Sequence, residues 1–217
     1  MRIYFADQNA LNALSGSNIG VIMDIGNENL ASFASDPSAA AAWVQANVQA
    51  FPGVSFRYIA VGNEVAGGDT GNILPAMQNV NNALSAAGLG NIKVSTAVQS
   101  GVTTGFPPSQ GTFSASHMPP IAHFYSALEN AGAGNVNIIV SESGWPSAGG
   151  DAATAGNAQT YNQNLINHVG QGTPKRPGAM EAYIFAMFNE DKKTGLETER
   201  HFGLFNPDQS PAYPISF

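Results

Sequence analysis

The sequence predicts an α/β protein built around a parallel sheet or barrel, and three observations predict it. Short apolar, β-prone runs alternate with helical segments, an order that implies right-handed parallel crossovers. The stretch 137–147, NIIVSESGWPS, is apolar through Ile138, Ile139 and Val140 and then reaches Glu142, which reads as a strand buried on both faces that ends in a carboxylate. The stretch 57–65, RYIAVGNEV, repeats the pattern and delivers Glu64 to an equivalent place. The C-terminal ends of parallel strands are where such folds build their active sites.

Taken in order, residues 1–6 are apolar and β-prone and Asp7 closes them, so Tyr4 and Asp7 are expected at or near a strand's C-terminal end. A short Ala/Leu segment at 10–14 and a Gly/Ser turn lead to a second buried strand, 19–25, which carries Asp24. Asp36-Pro37 supplies an N-cap followed by proline at the first helical position. An alanine-rich helix follows over 38–51, with Trp43, Val44 and Val48 on one stripe, and Pro52-Gly53 stops it. After the strand to Glu64 and a glycine-rich loop, a helix over about 73–87 places Leu74, Met77, Val80 and Leu84 on one face, with Gly88 as its C-cap. A strand at 93–98 precedes a loop rich in proline, glycine and serine at 101–120 and a helix at 121–131. Beyond the Glu142 strand come a helix at 158–169 and a last strand at 181–188, EAYIFAMF, with Asn189 and Glu190 at its end. Five of these six strands have a carboxylate at or near the C-terminal end: Asp7, Asp24, Glu64, Glu142 and Glu190. Convergence on one acid–base rim produces that pattern, and so does a set of solvated strand ends.

Length and composition bound the rest. A chain of 217 residues that is 43% hydrophobic can bury one substantial core, and no composition shift divides it, so one domain over 1–217 is expected. The net charge of −7 argues against nucleic acid, whose binding rests on lysine and arginine contacts to phosphate. With no cysteine there is neither a disulfide framework nor a thiolate metal site. The start, MRIYFADQN, lacks the basic segment and long apolar core of a signal peptide, and no apolar run is long enough to span a bilayer. Serine-hydrolase, P-loop and zincin motifs do not occur, and His117, His123, His168 and His201 have no metal-ligand spacing. Gly67-Gly68 and Gly149-Gly150 read as turn glycines. What the residues do offer is a pair of strand-end glutamates, the minimum equipment for glycoside hydrolysis, in which one carboxyl protonates the leaving oxygen and the other attacks the sugar or activates water.

MRIYFAD, RYIAVGNEV, ILPAM, IKVSTAV, VSESGWPSAGG, NAQTYNQNLINHV, AYIFAMFNE and HFGLFNPDQSPAY together cover nearly the whole chain. In these segments the sequence resembles the plant glucan endo-1,3-β-glucosidases, family 17 of the glycoside hydrolases. The resemblance implies a (β/α)8 TIM-barrel fold, with Glu64, preceded by Asn63, matching the acid/base and Glu142 matching the nucleophile of a retaining double displacement. It implies auxiliary roles for Asn63, Glu190 and Lys193, and substrate contacts from Tyr4, Trp145, Phe188 and Phe205 around a glucan groove. For Trp145, core packing beside Pro146 is the alternative to stacking on a sugar ring. The implied partner is the polysaccharide β-1,3-glucan, with no cofactor and no metal; the resemblance further implies a monomeric enzyme of carbohydrate metabolism and plant defence, secreted to the cell wall.

The sequence departs from that pattern in two places. It starts at what the resemblance makes the second strand, and only 44 positions separate Lys93 from Asn137, which a loop and one helix already fill. The stretch 112–128, TFSASHMPPIAHFYSAL, reads as the start of one helix joined to the end of another. About six parallel strands are therefore expected where the barrel has eight, the first and sixth being absent, in a chain shorter than the ~250 residues typical of the fold. Removing strands disturbs tilt, stagger and diameter together. The expectation is an open arrangement with weak activity or none. Beside endo-1,3-β-glucanase activity stand a mixed-linkage 1,3-1,4-β-glucanase and a catalytically dead glucan-binding or vestigial form.

Overall fold

The computed structural model describes residues 1–99, 103–104, 112–113, 121–173 and 176–217. The chain divides into two compact units, Met1–Gln99 and Ser100–Phe217.

The first unit is a four-stranded parallel sheet in the order β1 (Arg2–Ile3), β2 (Gly20–Ile25), β3 (Ser55–Asn63), β4 (Lys93–Ala97). Its crossovers carry helices α1 (Gln8–Leu14), α2 (Leu30–Ser35), α3 (Pro37–Val44) and α4 (Ile73–Ala86). Val21, Met23 and Ile25 from β2 and Ile59 and Val61 from β3 meet Leu30, Val44, Val48, Val80 and Leu84 in one core. At roughly 1.5–3 kcal/mol for each such side chain fully buried, this cluster supplies most of the unit's cohesion.

Local signals explain the helices. Asp36 caps α3 by accepting the Ser38 amide, with Pro37 in the first turn, and the predicted helix continues past Val44 as a π-turn through Gln49. In α4 the buried face is Ala76, Val80 and Leu84, whereas Leu74, expected on it, is 63% exposed. Leu74 sits in the first turn, before the helix comes over the sheet. Gly88 closes α4 as expected, with Gly88 N–H donating to Ser85 and Leu89 N–H to Leu84.

Two of the five strand-end carboxylates are structural. Asp7 lies outside β1 and caps α1, its Oδ1 accepting the Ala10 amide at 2.7 Å. Asp24 points into the protein, 2% exposed, where it is ion-paired with Arg2. A short polar side chain beside a helix start finds the unpaired N–H groups there, and a carboxylate inside a buried strand is stable only against a cation.

The second unit contains an antiparallel pair, β5 (Thr103–Thr104) with β6 (Thr112–Phe113), that the sequence reading did not anticipate. It also contains helices α5 (Ile121–Asn130) and α6 (Ala155–Val169) and a parallel pair, β7 (Val140–Ser143) with β8 (Ala182–Ile184). The junction read within 112–128, most of the loop at 101–120, and His117 lie outside the described residues. Thr154 caps α6 by accepting the Asn157 amide. Ala158, Leu204 and Tyr213 form the small core of this unit, joined by half-buried Trp145, Ile184 and Phe205.

The expectation that the Glu142 strand is buried on both faces fails. Val136 is 48% exposed, Ile138 to Val140 are half-buried, and the strand begins only at Val140. Among the described residues β7 pairs with β8 alone, so the apolar run is covered far less than a central strand. The predicted strand 181–188 is likewise reduced to three residues, and its continuation runs beside 202–205, with Phe188 bridging Phe205. Six parallel strands are thus described in all, four in one unit and two in the other.

Candidate active site

Glu64 is exposed and stands immediately after β3 in an αL conformation, φ +52°. The backbone there is unusual for a reason visible one residue earlier. From Ala60 to Asn63, β3 spans one residue more than its partners Ser95 to Ala97, a β-bulge of the kind that re-aims side chains at a sheet end. The bulge contains Gly62 at φ +81°, and a Cβ at that position would stand 2.7 Å from Val65 Cγ2, so both the dihedral and the packing require glycine. The Glu64 amide is held by the Ala97 carbonyl at 2.9 Å.

Asn63 is gripped from two sides. Arg2 Nη2 donates to Asn63 Oδ1 at 2.8 Å and to Asp24 Oδ2 at 2.6 Å, while Arg2 Nε donates to Asp24 Oδ1 at 3.2 Å. Because a guanidinium only donates, Oδ1 of Asn63 must face Arg2, and the amide NH2 faces the other way. The Arg2 guanidinium also lies 4.3 Å from the ring centroid of Tyr4. Asn27 clamps the Asn63 backbone: its Nδ2 donates to Asn63 O and its Oδ1 accepts from Asn63 N–H, both at 2.8 Å.

In the second unit Glu142 is the exposed residue of β7. Its neighbour Ser143 is hydrogen-bonded through Oγ to Tyr161 Oη at 2.7 Å, and Ser143 O accepts the Phe185 amide at 2.9 Å. Gly144 permits that approach, since a Cβ there would lie 1.9 Å from Phe185 O. Trp145 is half-buried, donates its indole N–H to Ala152 O at 2.9 Å and stacks obliquely on Tyr161 at 5.7 Å. Its contacts with the small core of this unit are those of a packing residue with one part exposed.

Lys193 bridges two carboxylates, with Nζ 3.2 Å from Glu190 Oε2 and 3.2 Å from Glu199 Oε2, and it lies 5.1 Å from the Phe185 ring centroid. Burial works against its ammonium charge, but the hydrogen bonds to Glu199 and Glu190 and their charges outweigh that, and the lysine pKa is raised. Arg200 ties this segment down by donating to Lys193 O at 2.7 Å, and it pairs with Glu197 at 2.8 Å. Phe188 and Phe205 stack obliquely, 6.2 Å apart, with Phe188 40% exposed.

Within the first unit, then, Tyr4, Asn63 and Glu64 are linked through Arg2 and the β3 bulge. Within the second, Glu190 and Lys193 form one cluster, Phe188 and Phe205 another, and Glu142 connects through Ser143 and Tyr161 to Trp145. Sequence reasoning missed Arg2, Asn27, Tyr161 and Glu199. Only Arg2 left a signal: a buried strand holding Asp24 needs a cation, and few are available in this chain. Among the described residues no group of three or more His, Asp or Glu is arranged to hold a metal. Within those residues no helix is long and apolar enough to cross a membrane.

Comparison with known proteins shows the family of the chain. The family model for glycosyl hydrolases family 17 matches residues 1–126 and 121–217. The acidic isoform of glucan endo-1,3-β-glucosidase from Zea mays is 61% identical over 276 residues, covering 100% of this chain and 82% of the relative. Glucan endo-1,3-β-glucosidase GII from Hordeum vulgare is 50% identical over 277 residues, covering 100% of this chain and 83% of the relative. Among solved structures, one of two plant β-glucan endohydrolases with distinct substrate specificities aligns with a TM-score of 0.93 at 41% identity, covering 100% of this chain and 90% of that one. An alignment of 276 positions against a chain of 217 residues leaves at least 59 positions without a residue of this chain. The family match also breaks at 121–126, between β4 and β7, where the sequence reading expected a strand and its following segment to be absent. The fold is that of the family's TIM barrel, incomplete.

Proposed function

Because the chain belongs to the glycosyl hydrolases of family 17, we propose that it hydrolyses β-1,3-glucan in endo fashion with retention of configuration, residues 1–217 acting as one catalytic domain. Glu142 attacks the anomeric carbon, displacing the leaving oxygen and forming a glycosyl ester, while Glu64 gives that oxygen its proton. Glu64 then takes a proton from the water that cleaves the ester. The observation that carries this reading is the construction around Glu64. A bulge, a left-handed backbone and a clamped asparagine are costly features that a mere solvated strand end does not need.

Asn63 fits the accompanying role. With Oδ1 committed to Arg2, its NH2 group is the part presented for donation to a sugar hydroxyl, and a hydrogen bond to the 2-hydroxyl strengthens in the transition state. Lys193, held between Glu190 and Glu199, supplies positive charge that favours ionised carboxylates around it. Tyr4, Phe188 and Phe205 offer aromatic faces to glucose rings. Trp145 contributes an edge and chiefly packs. The chain works as a monomer at the cell wall, outside the cell.

The relatives favour 1,3-linkages, since both glucanases named above carry that specificity in their names. The match to β-glucan endohydrolases of distinct specificities keeps mixed-linkage glucan as the second reading. Turnover is slower than in relatives that carry the segments absent between β4 and β7, because barrel closure ties strand tilt, stagger and diameter together and a misplacement of ~1 Å can cost about a hundredfold in rate. Product analysis on laminarin and on barley β-glucan, against the Glu142→Gln variant, tests the proposal. Laminari-oligosaccharides that vanish with Glu142→Gln support it. Binding without turnover selects the catalytically dead form instead.

A further inference from the structure

Among the residues around Glu64, Asn27 stands out because its side chain spends both of its hydrogen-bonding ends on the backbone of one residue, Asn63, of another element. Nothing in the chemistry of glycoside cleavage asks for Asn27, which lies in the turn after β2, 36 positions before Asn63. We infer that Asn27 is a positioning residue that sets the direction of the Glu64 carboxyl, an inference that rests on the acid/base role proposed for Glu64.

At the end of β3 the chain leaves regular strand geometry twice within three residues, at Gly62 with φ +81° and at Glu64 with φ +52°. A left-handed conformation for a residue other than glycine costs about 1–2 kcal/mol, so neighbouring bonds must hold it. The sheet itself does only part of this. Ala97 O receives the Glu64 amide at 2.9 Å, and Thr96 Oγ1 donates to Gly62 O at 3.3 Å, but Asn63, in register with Ala97, turns its own N–H and C=O toward Asn27. Asn27 meets these groups with two bonds of 2.8 Å, one from Asn63 N–H and one to Asn63 O. The same Oδ1 would be 3.4 Å from a Cβ on Gly62, so Asn27 also packs against the bulge.

Two hydrogen bonds on adjacent peptide planes fix rotation about the Asn63 backbone and hence where the next side chain points. Without Asn27, the bulge keeps the Arg2 contact to Asn63 Oδ1 and the Ala97 contact to Glu64, but the peptide between them can rock. Such rocking moves an acid relative to a leaving oxygen that it must reach within about 2.6–3.2 Å. It leaves the nucleophile Glu142, on a different element, in place. The loss therefore falls on reactions that need protonation of the leaving group and spares those that do not.

The test uses the full chain with Asn27→Ala, Glu64→Ala as the reference for a lost acid, and Asn79→Ala as the control. Asn79 makes a comparable side chain to backbone bond, Nδ2 to Phe33 O at 2.7 Å, which joins α4 to α2 and does not involve β3. Asn27→Ala is expected to lose about tenfold to a hundredfold in kcat on laminarin, while KM and the rate on a dinitrophenyl β-glucoside stay within about threefold. Glu64→Ala should show the same split more strongly, and Asn79→Ala no split at all. Native-state amide exchange read by NMR should show the Asn63 N–H exchanging faster in Asn27→Ala only. Asn27→Asp, which keeps the acceptor for Asn63 N–H and loses the donor to Asn63 O, should retain that protection and lie between in rate. Equal losses on both substrates, an unchanged laminarin rate, or unchanged exchange at Asn63 would each overturn the inference. If Glu64→Ala shows no split, the acid/base reading has failed, and exchange at Asn63 alone decides whether the clamp exists.

Discussion

Replacing Asp24 by Asn removes one charge from a pair whose side chains are 2% and 4% exposed, and takes from the buried Arg2 guanidinium the carboxylate charge that stands 2.6 Å from it. The hydrogen bonds of 2.6 and 3.2 Å between them cannot both survive, because the new NH2 group faces N–H donors. Breaking a buried pair from one side costs about 3–5 kcal/mol, against a total stability of ~5–15 kcal/mol for a typical domain. Arg2→Met takes this cation away from the buried carboxylate and should cost a similar amount. The double variant, Arg2→Met with Asp24→Leu, strands neither charge and should recover most of the loss, lying within about 2 kcal/mol of the parent, so the coupling energy, the sum of the single losses less the double's, should be at least about 4 kcal/mol. Urea unfolding of the four proteins measures this. The same double variant should remain poor on laminarin, since Asn63 Oδ1 no longer has Arg2 to fix it. Single variants within about 1 kcal/mol of the parent, or a double variant as unstable as the sum of the singles, would refute the reasoning.

Gly144→Ala places a Cβ 1.9 Å from Phe185 O, so β7 and β8 must part. A loss of about 2–3 kcal/mol and of most activity is expected by thermal unfolding and laminarin assay, whereas Gly156→Ala, in the open first turn of α6, should stabilise by about 0.5–1 kcal/mol. Lys193 has a raised pKa in the fold, so the unfolded chain releases this proton first as pH rises. Its stabilising contribution should hold below the ordinary lysine pKa of about 10.4 and disappear as pH climbs through the higher folded value, a difference visible when the parent and Lys193→Met are unfolded across pH 7–11.5. Equal parent-to-variant differences at every pH would contradict this.

Much of the architecture could be read from residue patterns. Asp36-Pro37 marked a helix start because capping is local chemistry, and Val80 and Leu84 marked the buried face of α4 because a helix repeats every 3.6 residues. Glu64 and Glu142 could be singled out because each follows an apolar run. What could not be read depended on partners far along the chain. Asp24 reads as a rim carboxylate until Arg2, 22 residues away, is seen to face it. Asp7 carried its own local signal, a polar side chain just before a helical segment, and the strand reading overrode it. The run 136–140 is as apolar as a central strand, yet periodicity reports what a segment could bury and not which neighbours exist to bury it. Asn27 offers no pattern at all, since a turn asparagine is ordinary and only its reach to Asn63 gives it meaning.

The central claim is that Glu142 attacks sugar and Glu64 serves it as acid and base. A 2-deoxy-2-fluoro laminaribioside with an activated leaving group forms the glycosyl ester and hydrolyses it slowly, so the trapped species accumulates even where turnover is weak. Peptide mass spectrometry of the parent chain should find the added disaccharide on Glu142, accumulating also in Glu64→Ala and absent from Glu142→Gln. A label on Glu190, or an active protein that never acquires one, would contradict the account.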